Sequence, residues 1–382
     1  MSSKPAEPAP GLAIPGFETG GTAAVDRAAG DLRRGLPVAL AEPGEAGGIV
    51  AFAAEFVSAP RLDALRRLGG EPDLAITHNR AATLKIRLYT PDVVRIPVPG
   101  WLSMEALASL ADPATDLAQP LRGPFEARRD PVPAGIVAAI RLAKIARLLP
   151  AAVAVEVADM AAALGAEKAD LLRVTPSAVM SYDVAAAQRL EQVTGASVPL
   201  DGAEAARIFA FRPRDGGTEH FAIQIGAPEA PGPVLARLHS ECFTGDLLGS
   251  LKCDCGQQLR GAIAQISAEG AGILLYLAQE GRGIGLINKL RAYALQDLGF
   301  DTVEANERLG FEADERVFLP AAEMLRRLGF SSVRLMTNNP DKVEALARFG
   351  IEVAERVPHS FPSNDHNAFY LSTKAEKSGH LL

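Results

Sequence analysis

All three cysteines of this 382-residue chain fall at positions 242, 253 and 255. A C-x10-C-x-C spacing limits what the surrounding segment can fold into, because thiols that act together must be brought to one point. Three thiolates suit a soft or borderline cation such as zinc, and three protein ligands leave a fourth position for water. Two other uses stay open. Cysteine is often buried as a small hydrophobe, although Cys253 and Cys255 sit beside Asp254, Gly256 and two glutamines, which is not a core setting. A closed structural site needs a fourth ligand, and His239 or Asp254 is available for it, but the spacing is not that of a finger or a ribbon. Clustered thiols argue against a disulfide framework and for a reducing compartment.

The segments around the cysteines carry features suited to phosphate. Ile273–Leu277 reads as a buried strand, and the loop after it holds Glu280, Arg282, Gly281, Gly283 and Gly285. Glycines let backbone amides approach an anion and arginine offers a planar fork of donors, although such a glycine run alone mostly marks a tight turn. A second strand, Ser332–Met336, leads into Thr337-Asn338-Asn339-Pro340-Asp341-Lys342. There Asn339 can cap, and Pro340 can open, a helix that runs to Phe349 and stops at Gly350. A helix N-terminus at a strand end attracts anions, and Lys342 in its first turn adds a full charge. An ordinary capped helix with a solvated lysine accounts for that piece equally well.

Length predicts two or three domains. Apolar content of 48% with 22% charged residues is that of a soluble globular protein. A net charge of −7 gives no general reason for binding nucleic acid or membrane, so an anion site has to be locally basic. Arg141, Lys144, Arg147 and Pro150 interrupt the most apolar stretch, Ile136–Val157, and no membrane span or signal peptide is expected. Residues 1–20 read as a flexible tail rich in Pro, Ala and Gly. From Gly21 an alternating pattern predicts a helix at Ala23–Arg34, strands at Pro37–Leu40 and Ile49–Phe52, and a helix at Pro60–Leu68. A helix at Ile136–Leu148 and a strand at Ala152–Val157 follow. A helix at Tyr182–Val193, with Ser181 as its cap, joins the halves. Strands are expected at Arg207–Phe211, His220–Ile225 and Val234–Leu238, and helices at Gln258–Ala268, Ile287–Leu298 and Ala321–Leu328.

Many separate motifs in order carry a family resemblance: Arg237-Leu238-His239-Ser240-Glu241-Cys242, Thr244-Gly245-Asp246, Cys253 to Gln258, Gln279 to Arg282, Lys289 to Tyr293, Asp301 to Asn306, Asp314-Glu315-Arg316 and Thr337 to Lys342. From about Val198 to Lys374–Leu382 the chain resembles GTP cyclohydrolase II, which opens riboflavin biosynthesis. The resemblance implies that Cys242, Cys253 and Cys255 hold one zinc ion per subunit, and that Tyr293 takes part in opening the guanine imidazole ring. It implies GTP contacts from Arg237, Leu238, His239, Ser240, Glu241, Gln258, Glu280, Gly281, Arg282, Thr302, Thr337 and Lys342. Asp314 and Arg316 match the pair assigned to pyrophosphate release. Arginine gives up its proton reluctantly, so Arg316 acts either as a nucleophile helped by Asp314 or as a stabiliser of phosphate charge. Magnesium is implied on the triphosphate, together with a homodimer and a cytoplasmic setting.

The first half resembles 3,4-dihydroxy-2-butanone 4-phosphate synthase through Gly35 to Leu40, Ala53 to Val57 and Pro120 to Gly123. That family places a dense acidic run after its first strand and a histidine before a late helix. Here Ala41–Gly48 holds only Glu42 and Glu45, and no histidine occurs between His78 and His220. Magnesium prefers several hard oxygen ligands, so this half reads as a degenerate, non-catalytic domain and the bifunctional fusion is set aside. The expectation is two α/β domains with mixed sheets, residues 21–195 degenerate and 196–382 catalytic. The activity expected is zinc-dependent hydrolysis of GTP to 2,5-diamino-6-ribosylamino-4(3H)-pyrimidinone 5′-phosphate, formate and pyrophosphate. The alternatives are a nucleotide-binding regulator with a structural zinc, and a cyclohydrolase that stops at a formylated intermediate.

Overall fold

A computed structural model describes residues 21–361 apart from 121–122, 168–170 and 231. The expected tail at 1–20, Leu121 and Arg122 of the Pro120–Gly123 motif, and Lys374–Leu382 lie outside the described residues. Two sheets organise the chain. The first comprises β1 (Val38–Leu40), β2 (Gly48–Ala53), β3 (Asp73–Thr77), β4 (Val93–Pro97), β5 (Ala151–Val157) and β6 (Arg173–Val174), in the order β4-β3-β5-β2-β1-β6. Only the β1–β6 pair is parallel.

Alternation along these strands builds a core on each face. Val50 and Phe52 of β2 join Leu62, Leu65, Leu107 and Leu110 from the helices Ala59–Gly69 and Met104–Ala111. Ile49 and Ala51 point the other way, onto Val25 and Leu32 of Gly21–Arg33 and Ile136 and Ile140 of Ala134–Ile145. A strand buried on both faces reads as an unbroken apolar run, which is how Ile49–Phe52 reads in the sequence. The result is a helix–sheet–helix sandwich.

The second sheet comprises β7 (Leu190–Ser197), β8 (Ala206–Pro213), β9 (His220–Ile225), β10 (Val234–Ser240), β11 (Gly272–Leu277), β12 (Ser332–Met336) and β13 (Glu352–Val357). Its order is β13-β12-β10-β11-β9-β8-β7. β13, β12, β10 and β11 run parallel, while β9, β8 and β7 form an antiparallel meander beside them. Parallel neighbours need crossovers; the helix Cys255–Glu269 supplies the one from β10 to β11. The three central parallel strands end side by side, and their carboxyl ends form the crevice where open α/β sheets place ligands.

One expectation needs correction. The helix foreseen at Tyr182–Val193 ends at Gln188, and β7 begins at Leu190. The alanine-rich run is helical, but Leu190 is buried and the residues after it pair with β8. Pairing overrides local helix preference there. β7, from Leu190, belongs to the second sheet.

Candidate active site

The ends of β10, β11 and β12 and the helices Leu286–Asp297 and Thr302–Arg308 surround one cleft. On β10, Val234, Ala236 and Leu238 face the core, so Arg237 and His239 emerge on the opposite face into the cleft. Leu238, expected among the contact residues, has its side chain in the core; its carbonyl accepts the Lys342 ammonium at 2.9 Å.

The three thiols converge. Cys242 follows β10, Cys255 opens the helix Cys255–Glu269, and the three Sγ atoms lie within 4.8 Å of one another. Cys242 and Cys253 are separated by 3.8 Å, and sulfurs bound tetrahedrally at about 2.3 Å lie about 3.8 Å apart. Gly245 makes the cradle possible, since a Cβ there would stand 2.8 Å from the Cys253 sulfur and 3.1 Å from that of Cys242. Donor set, spacing and the room left by Gly245 fit a tetrahedral thiophilic ion with one position open.

One thiol of the cradle is held anionic, while hydrogen bonding to it pushes the Cys253 and Cys255 thiols up. Hydrogen bonds from Cys253 and then Cys255 keep the Cys242 thiol far below the ordinary range, with Lys289 adding to the effect. Lys289 reaches the Cys242 sulfur at 3.0 Å, Thr244 Oγ1 at 2.9 Å and Glu280 at 2.9 Å. Burial works against its charge, and the bonds to Cys242 and Glu280 prevail, raising its pKa. The Glu280 carboxylate also accepts from the amide of Phe243 at 2.6 Å, tying the β11 loop to the cysteine loop. Asp246 fixes that loop from the other side, accepting from the Cys242 amide and the Tyr276 hydroxyl, each at 3.0 Å, and lying 3.0 Å from His239 Nε2. Burial depresses the His239 pKa more than Asp246 raises it.

Away from the thiols the cleft is basic. Arg237 donates to the Met336 carbonyl at 2.8 Å and to Gln258 Oε1 at 2.5 Å, while its buried Nε has no hydrogen-bond partner among the described residues. Burial lowers the Arg237 pKa to about 10. Gly281 and Arg282 both adopt left-handed φ, 65° and 61°, which is uncommon for an arginine. Arg282 donates to the Ala313 carbonyl at 3.3 Å. Arg316 binds Asp314 through Nε at 2.8 Å and Nη2 at 2.5 Å. Desolvation raises the Asp314 pKa, and the Arg316 charge more than offsets it, leaving the carboxyl below its usual range. Tyr293 lines the cleft with the Lys252 and Lys289 ammonium groups 5.1 and 5.7 Å from its ring centroid.

Of the residues expected at the site, Arg237, His239, Ser240, Glu241, Gln258, Glu280, Gly281, Arg282, Tyr293, Thr302, Arg316, Thr337 and Lys342 line this cleft beside the cysteines. Asp314 stands behind Arg316 rather than in the wall. Sequence reasoning passed over Lys289, Asp246 and His359 as site residues. Lys289 and Asp246 lie within motifs it quoted, and their roles show only in contacts across the chain. His359 binds the Gln258 carbonyl at 2.9 Å, and burial lowers its pKa to about 4.

A family model described as GTP cyclohydrolase II matches residues 191–358. An Azospirillum brasilense protein named GTP cyclohydrolase-2 is 53% identical over 385 residues, covering 99% of each chain. The GTP cyclohydrolase-2 of Escherichia coli O9:H4 is 54% identical over 194 residues, 98% of that protein and 51% of this chain. A Synechocystis protein named riboflavin biosynthesis protein RibBA is 46% identical over 255 residues, 64% of this chain and 46% of that protein. That alignment is longer than the second half of this chain and so reaches into the first. Matched along its whole length at this identity, the chain belongs to the GTP cyclohydrolase II family.

Proposed function

We propose that the chain hydrolyses GTP to the diaminopyrimidinone ribosylamino 5′-phosphate, formate and pyrophosphate. The observation that carries this reading is the placing of a three-thiol cradle and a set of arginines and lysines in one cleft. A purine ring and a polyphosphate need these two environments at once. The cradle suits zinc, held by Cys242, Cys253 and Cys255; when bound it supplies a Lewis acid and activates water for attack on C8 of the base.

The chain's own residues bind, orient and hold protons. Lys289 and the Gly245 amide, donating at 3.3 Å, stabilise the Cys242 thiolate. Tyr293, beside the cradle on the helix Leu286–Asp297, offers a hydroxyl for proton transfer at the opening ring. Arg237, Arg282 and Lys342 take the phosphates, and the Gly281–Arg282 turn adds backbone amides. Arg316, oriented by Asp314, stabilises charge at the α-phosphate as pyrophosphate departs. Neutral acceptors fix Arg237 and Lys342 before ligand arrives, which lowers the ordering cost of binding. Magnesium carried by the triphosphate, a homodimer and a cytoplasmic setting belong to the same reading.

The first half is proposed as a degenerate dihydroxybutanone-phosphate-synthase-like domain without its own chemistry. In support, Glu42, one of the two acids in its Gly-rich loop, accepts from Ser177 at 2.8 Å on the amide and 3.0 Å on the hydroxyl. That carboxylate serves a helix start. The test is incubation of zinc-loaded protein with GTP and magnesium, assaying formate and pyrophosphate together. Equal release of both is expected. Tight GTP binding with neither product overturns the reading in favour of a regulator.

A further inference from the structure

The two catalytic loops of the cleft are held from behind by the first half of the chain. On the β11 side, Arg147 donates to the Ala278 carbonyl at 3.1 Å, and its own carbonyl accepts from Asn288 at 3.0 Å. The approach is close: a Cβ on Gly285 would stand 3.0 Å from the Arg147 Cβ. On the Asp314–Arg316 side, Thr77 donates to the Gly310 carbonyl at 2.7 Å and Asn79 to that of Phe311 at 2.9 Å.

One contact bears directly on the reacting end. Glu315, between Asp314 and Arg316, turns away from the cleft and meets the Lys144 ammonium at 2.5 Å. Both side chains are largely buried, at 12% and 16% exposure, so solvent screens the pair little. The same carboxylate accepts from the Glu312 amide at 2.9 Å, and the Glu315 amide donates to the Arg282 carbonyl at 3.1 Å. Gly283 fits against this point only because it lacks a Cβ, which would stand 3.0 Å from the Glu315 carbonyl. Lys144 thus anchors the residue that links the Arg282 turn to the Asp314–Arg316 pair.

We propose that Lys144 is a positioning residue for Arg316 and Arg282, and that the first half acts on the cleft by holding this loop through the Lys144–Glu315 pair. The proposal rests on the cyclohydrolase reading above. The Escherichia coli relative, 98% covered by about half of this chain, has no room for a comparable first half. The chemistry therefore does not require that half, and its influence has to travel through contacts such as this one. A displacement of about 1 Å in a group that meets the transition state costs up to about a hundredfold in rate. Such a loss falls on kcat more than on KM, because Arg316 is assigned to charge that develops as the bond breaks.

The experiment compares full-length, zinc-loaded wild type with Lys144→Met, Lys144→Arg, Glu315→Gln and the Lys144→Met/Glu315→Gln double variant. Formate and pyrophosphate are assayed against GTP concentration, and amide exchange of residues 311–316 is followed in parallel. Expected for Lys144→Met is a fall of about tenfold in kcat for pyrophosphate with KM within about threefold, and faster exchange in the loop. Lys144→Arg restores most of the rate, and the double variant is no worse than the poorer single one. Unchanged kcat and exchange in Lys144→Met overturn the proposal and leave the cyclohydrolase reading intact. A loss seen only as lowered melting temperature also overturns it. Wild type releasing neither product overturns the cyclohydrolase reading, and the positioning role of Lys144 with it.

Discussion

Acidification weakens the second half of the chain through His220, and the size of the effect follows from its surroundings. His220 is 7% exposed on β9, and its Nδ1 accepts from the Ala278 amide at 3.1 Å, steadying the start of the loop after β11. Burial, with the Arg147 charge adding, lowers its pKa from 6.5 to about 4. Between these values the unfolded chain binds a proton that the folded chain refuses, so stability is full above pH 6.5 and drains as pH falls toward 4. At 1.36 kcal/mol per unit, the complete loss is about 3 kcal/mol, and about 2 kcal/mol of it falls between pH 7 and pH 5. His220→Asn keeps an acceptor near the Nδ1 position and cannot titrate there. Urea unfolding of wild type and variant at pH 7 and pH 5 isolates the contribution, since His359 and the carboxylates are common to both. The variant is expected to lose about 2 kcal/mol less than wild type over that interval. Equal losses refute the reasoning, because His220 would then carry its proton in the folded state as readily as in the unfolded one.

Three further outcomes follow from the site and the contact between halves. Cys253→Ser should abolish zinc retention and formate release together, measured by metal analysis and product assay; full activity without zinc would show that the cradle is not the reaction centre. Gly245→Ala places a methyl 2.8 Å from the Cys253 sulfur, so zinc content should fall well below one per chain while circular dichroism stays that of wild type. Gly310→Ala imposes a left-handed φ of 88° on alanine and drives its Cβ to 2.9 Å from Thr77 Oγ1. It should lower stability by about 2 kcal/mol in urea unfolding, and no change would mean the halves part freely there.

Strands with strong patterning were readable from the sequence: His220–Ile225 and Ser332–Met336 occupy the expected residues. The glycine after the first helix is equally plain, since Gly35 adopts φ 71°. Asp73–Thr77 and Val93–Pro97 were passed over. Each is only five residues long, and short apolar runs do not reveal their period. Two arginines of the same region, Arg80 and Arg95, are almost fully buried. Arg80 meets Asp116 at 2.6 Å and the Leu110 carbonyl at 2.8 Å, and Arg95 meets Glu156 at 3.0 Å. Such partners lie 30 to 61 positions away, beyond the reach of local pattern. At the cleft, residue identity was readable where a motif carried it. The contacts of Lys289, the inward face of Leu238 and the outward turn of Glu315 depend on strand parity and on the other half.

A chain of net charge −7 holds several cations in one cleft by choosing what they bond to. Arg237 is steadied by a carbonyl and an amide oxygen, and Lys342 by a carbonyl. These hydrogen bonds go to neutral oxygens, and the Asp254 carboxylate lies close enough to favour the Arg237 charge. Holding a guanidinium in a buried place has its own cost, visible in the lowered pKa of Arg237. On the proposed reading, a polyphosphate placed beside Arg237 offsets that cost. Arg316, paired with Asp314, is the contrasting case. Its charge is partly matched before phosphate arrives, which suits a group needed most when charge develops rather than when ligand first binds.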